Sequence, residues 1–151
     1  MPEDFESYIQ RVRAHRAELR ESVAAVEEAL AIPLGKGIAW RQRVHAALAE
    51  LAHDFADHVD LTERPGGLYD GVRTNASRLT AAVDRLTEEH AALREEIAGS
   101  LAVLENEVGT TADLHGLREA VTSLMGRLVR HRQRGGDLVY EAYEVDIGGS
   151  G

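Results

Sequence analysis

The sequence contains no cysteine, which excludes disulfide cross-links, zinc fingers, iron–sulfur clusters and thiol catalysis. Only three prolines occur in 151 residues, and all of them fall near element boundaries. Aromatic residues are scarce at 5%, while alanine, leucine, glutamate and arginine dominate, a mixture that favours helices. No stretch approaches the run of about 20 apolar residues needed to span a membrane. The opening "MPEDFESY" is acidic and unlike a signal peptide, so a cytoplasmic location is expected. Lysine is nearly absent as well. Lys36 stands alone beside sixteen arginines dispersed among acids, and the net charge is −9. Such a surface attracts neither DNA nor anionic lipid, so no nucleic-acid or membrane partner is expected.

What remains is ordinary in bulk, with 44% hydrophobic and 28% charged residues, and long enough for one domain with a real core. Three loop signals divide it: "IPLGKG", "TERPGG" and "VGTTAD". Between them lie helical patterns at about 4–31, 38–61, 76–107 and 114–144, with a short extra turn, "GLYDGVRTN", before the third. Asn75 or Ser77 is the expected N-cap of the third helix and Asp113 that of the fourth. Each pattern carries one apolar stripe in steps of three and four. The first stripe includes Val12, Leu19 and Val23, the second Val44, Leu48 and Phe55, the third Leu86, Leu93 and Ile97, and the fourth Leu124, Leu128 and Leu138. Four such helices joined by mostly short loops predict an all-α, antiparallel up-down-up-down four-helix bundle. It is expected to occupy residues 1–147, with 148–151 as a flexible C-terminal tail.

Every stripe is interrupted once, and each time by histidine. His15 falls between Val12 and Leu19, His58 follows Phe55, His90 sits between Leu86 and Leu93, and His131 follows Leu128. At 1.5 Å per residue from one end of the bundle, their depths are roughly 24, 30, 25 and 27 Å, one layer within the error of the helix ends. Unpaired imidazoles packed together carry unsatisfied polar atoms worth roughly 1–3 kcal/mol each, a conflict that a metal or cofactor at their centre resolves. A purely structural polar layer is the plainer alternative. His45, His53 and His115 lie off the stripes and are expected outside the site. Tyr8, Tyr69, Tyr140 and Tyr143 gather near one end, where a phenol can cap the site or simply close the bundle, and Trp40 is expected to be packing at the other end.

The motifs "RAHRAEL", "FADHVDLTERPGGLYDGV", "LTEEHAALREEI" and "RLVRHRQRGGDLVYEAYEVDIGG" resemble the haemerythrin-like (HHE) family over nearly the whole chain. The resemblance implies a bundle whose histidines and bridging carboxylates hold two non-haem irons. These would bind dioxygen or react with peroxide or nitric oxide, with a small diatomic or peroxide as the ligand. His15, His58, His90 and His131 match the family's histidines. Its carboxylates, four residues after a histidine, do not match: Thr62 follows His58 and Gly135 follows His131 at that spacing, with Glu63 one position late and Asp137 two. Glu63 and Asp137 are therefore candidate ligands only if the helices locally unwind. Gly135-Gly136 invites three readings, namely a bend that delivers Asp137, a vacancy that admits a bulkier ligand, or a plain helix end. Haem held by two of the histidines is a second functional reading, without covalent attachment because there is no Cys-x-x-Cys-His. A metal-free bundle serving as a sensor or interaction module is a third.

Overall fold

The computed structural model describes residues 5–106 and 111–145. Its helices are α1 (Phe5–Leu30), α2 (Ile38–Glu63), α3 (Leu68–Asn75), α4 (Thr80–Glu105) and α5 (Thr111–Val139). No strand occurs among the described residues, and no helix there is long and apolar enough to cross a membrane. Helix α1 packs on α2 and α5, and α4 packs on the same two, so the four long helices close into a bundle. The stripes face inward as their spacing requires, with Val44, Leu48, Leu51, Phe55 and Val121 wholly buried. The expected tail at 148–151 lies outside the described residues.

The apolar interior is divided in two. One cluster gathers Leu19, Trp40, Leu48, Phe55, Leu93 and Leu128. The other gathers Val12, Leu61, Tyr69, Leu86, Leu138 and Ala142. Along each long helix the change from one cluster to the other comes where the stripe histidine stands: between Val12 and Leu19, Phe55 and Leu61, Leu86 and Leu93, and Leu128 and Leu138. The histidines mark a polar layer between two apolar blocks.

Helix boundaries differ from the sequence reading in three places. Asn75 ends α3, where its side-chain amide donates to the Gly71 carbonyl at 3.0 Å, and Ser77 opens a single 3₁₀ turn. Neither side chain caps α4, since the backbone turns through 77–79 and Thr80 Oγ1 bonds back to the Ser77 carbonyl at 2.8 Å. Asp113 lies inside α5 rather than ahead of it. The third concerns Gly135-Gly136, where neither the bend nor the helix end is found. Helix α5 passes straight through both residues and continues as one π-helical stretch over Tyr140–Val145. Buried Leu138, Val139 and Ala142 hold this end on the core and offset the roughly 2 kcal/mol that two glycines cost a helix.

Between α2 and α3 the chain turns through Arg64–Gly67, with Gly66 at φ +75°, which favours glycine. Tyr8 of α1 pins this corner: its hydroxyl donates to the Leu61 carbonyl at 2.7 Å and accepts from the Leu68 N–H at 2.5 Å. A Cβ on Gly67 would come within 3.0 Å of that hydroxyl and 2.8 Å of the Arg64 carbonyl oxygen. The corner brings Tyr69 and Glu63 to the histidine layer.

Candidate metal centre

Helices α2, α4 and α5 each send one histidine inward. One ring nitrogen from each of His58, His90 and His131 lies within 4.8 Å of the other two. The ring centroids are 5.1 Å apart for His58–His90, 5.8 Å for His58–His131 and 4.7 Å for His90–His131. Phe55, one turn before His58, lies under all three at 5.6 to 5.9 Å and closes the site toward the larger apolar block. Exposure of the three residues is 8%, 1% and 1%, little enough to make a positive charge on any of them costly. Burial, with the neighbouring His131 and Arg16 adding to it, lowers His58 to about 3, and burial beside His58 and His131 lowers His90 to about 2. His131 is lowered too, burial outweighing the opposite pull of Glu89. The three imidazoles are neutral at physiological pH.

Two carboxylates fix which nitrogen keeps the proton. His90 Nδ1 donates to Glu63 Oε2 at 2.5 Å, and His131 Nδ1 donates to Glu89 Oε1 at 2.7 Å. Each Nε2 is then left with a lone pair, the arrangement in which a histidine serves a metal while a carboxylate orients it from behind. Glu89 is itself held by Arg134, whose Nη2 is 2.5 Å from Oε2. Burial raises the Glu89 carboxyl, but the hydrogen bonds from His131 and Arg134 outweigh it and leave it below its ordinary value. Glu63 is raised, by burial first, with Arg94 and Arg73 pulling the other way. Tyr69 stacks on His90 at 16° between planes, and its hydroxyl lies 3.3 Å from His90 Nε2. Burial raises this phenol, so it stays protonated and donates.

The residues singled out from the sequence are thus brought together only in part. His58, His90 and His131 form the cluster, and Glu63 reaches it without the bulge or early helix end that its position seemed to require. Helix α2 is regular through Glu63, and the carboxylate meets His90 across the α2–α4 interface. His15 is not part of the cluster: it is 28% exposed at its side chain, with Nδ1 4.0 Å from Glu18, though near enough to His58 to help lower it. Depth along the axis put it in the layer, but residues 15 and 16 straddle the α1 stripe, and Arg16 takes the inner place beside His58 and His131. Asp137 is exposed and opens on a surface groove with Arg85, Arg134 and Glu141, away from the histidines, because unbroken α5 gives it no inward turn. His45 and His53 sit outside with Glu105 and Asp57 as partners, and His115 is exposed. Glu89 and Phe55 were missed, whereas Tyr69, one of the four tyrosines that could cap the site, does reach His90. Glu89 adjoins His90 in "TEEHAAL", but its partner is on another helix, which spacing along one helix does not reveal.

A small cavity adjoins the cluster, lined among others by Arg16, His58, Thr62, Tyr69, His131 and Gly135. Measured for the centre of a water-sized sphere its volume is about 10 Å³, the space of a single small molecule. No family model, curated protein or solved structure matches this chain. A functional reading therefore stands on the chemistry of this layer.

Proposed function

We propose that the chain is a haemerythrin-like, antiparallel up-down-up-down bundle that binds one non-haem iron through His58, His90 and His131 and uses it to bind or reduce a small oxidant. The observation that carries this reading is the pairing of Glu63 and Glu89 with the Nδ1 atoms of His90 and His131. It leaves an unprotonated Nε2 on two rings, in a layer where one nitrogen from each of the three histidines lies within 4.8 Å of the other two. The donor set fits a first-row transition metal, since imidazole suits iron, copper, nickel and zinc alike, and the resemblance of the motifs favours iron among them.

One ion is favoured over the family's two. The positions one turn after His58 and His131 are Thr62 and Gly135, neither of which offers a carboxylate, and the nearby Glu63 and Glu89 are engaged behind the imidazoles. From there their charge offsets that of a cation without their being ligands. Haem finds no support, because the cavity is far smaller than a macrocycle. The bound ferrous ion would supply a binding position for a small oxidant such as dioxygen, peroxide or nitric oxide and one electron toward its reduction, any further electron coming from an external donor. The chain's own part is to hold the imidazoles neutral, to exclude water with Phe55, and to present the Tyr69 hydroxyl as a hydrogen-bond donor in the same layer.

Anaerobic reconstitution with ferrous iron, desalting and metal analysis test the proposal. About one iron per chain should remain, and nitric oxide or peroxide should change the visible spectrum. A chain that retains no iron and gives no spectral response contradicts it.

A further inference from the structure

The two glycines of α5 have distinct surroundings. A Cβ on Gly136 would collide with the Arg16 guanidinium, whose terminal nitrogen and central carbon (3.2 Å) lie against the helix backbone there. A Cβ on Gly135 would meet nothing within 4 Å, because Gly135 faces the cavity. One glycine seats an arginine and the other keeps the space beside it open.

That arginine is poorly compensated. Its Nε is buried and has no hydrogen-bond partner among the described residues. Arg132, Arg13 and Arg20 are near enough to repel its charge, and Asp137 opposes them. Among the described residues the cavity wall includes both Arg16 and Arg132 and no carboxylate, in a chain whose net charge is −9. Hydroxyl-bearing Thr62 and Tyr69 line it as well.

We propose that this cavity is the seat of a small monoanion of three heavy atoms, of the formate or nitrite type, held by the Arg16 guanidinium over the histidine layer. A planar two-oxygen anion matches the fork of a guanidinium, and its charge relieves the crowding of arginines around Arg16. The space of about 10 Å³ favours an anion of this size over a larger acid. Thr62 Oγ1 already donates to the His58 carbonyl at 2.8 Å, so it offers the anion packing more than a proton. The seat depends on α1 and α5 side chains and goes beyond the metal reading, because it needs no metal to form.

Calorimetric titration of the full chain with sodium formate and with sodium nitrite, at fixed ionic strength, tests it on chelator-treated and iron-loaded protein. Both anions should bind one per chain in both forms, and succinate at least 10-fold more weakly. Arg16→Gln should weaken formate at least 10-fold. Gly135→Leu, which fills the cavity, should abolish formate binding while leaving helicity unchanged. Arg132→Gln, which leaves α5 glycines untouched, should weaken formate several-fold and guards against a misfolded Gly135 variant. Equal formate affinity in wild type and Arg16→Gln, equal affinity for succinate, or no binding at all overturns the proposal. Arg16-dependent binding in a chain that takes up no iron would sink the metal reading and uphold this one, while iron uptake without Arg16-dependent binding would do the reverse.

Discussion

His90 and His131 each turn one ring nitrogen to a carboxylate and the other to the interior, and burial keeps them and His58 from taking up a second proton. This has a measurable consequence for the metal-free chain. Unfolded histidines titrate near 6.5, whereas in the fold His58 and His90 titrate at about 3 and about 2. Between those values the unfolded chain binds protons that the folded chain refuses, so stability is full above about pH 6.5 and falls as pH drops toward about 3. Each histidine contributes about 1.4 kcal/mol per pH unit, so going from pH 7 to 5 should cost on the order of 4 kcal/mol for the pair. Chemical denaturation of metal-free protein at the two pH values reads this directly. An unchanged midpoint would mean that these rings are hydrated or already charged.

Helix α5 makes a sharper case, because its two glycines look alike in sequence and are not alike in surroundings. Gly135→Ala places a methyl in open space and gains helix propensity, so it should stabilise by up to about 1 kcal/mol. Gly136→Ala gains the same propensity but must displace the Arg16 guanidinium, so it should be neutral or destabilising. Thermal melts of the two variants side by side check the difference, and an equal rise in Tm would show that Arg16 is not seated on Gly136. Of the three readings of these glycines, the bend and the helix end follow from local propensity and are not found, because the apolar contacts of Leu138, Val139 and Ala142 that keep the helix whole come from elsewhere in the chain. The cap at Asn75 was misjudged for a similar reason, since its amide finds a carbonyl one turn back in α3. The stripes themselves were legible because burial of one helix face imposes its period on the residues.

Across the whole molecule, the bundle and a histidine layer between two apolar blocks could be read from spacing, and the orientation of the layer could not. Axial depth follows from counting residues. Rotation about the axis depends on which of two straddling residues the neighbours admit, and at positions 15 and 16 they admit the arginine. The carboxylates were half legible: Glu63 stood near His58 in sequence but meets His90, and Glu89 meets His131 from a different helix. Titration with cobalt(II), whose visible bands report imidazole coordination, is the most direct test that three histidines, and neither His15 nor Asp137, form one metal site. Saturation is expected at about one equivalent per chain in wild type, His15→Ala and Asp137→Asn, with loss of the bands in His90→Ala and His131→Ala. Saturation at two equivalents, or bands that survive in His90→Ala and vanish in His15→Ala, would contradict it.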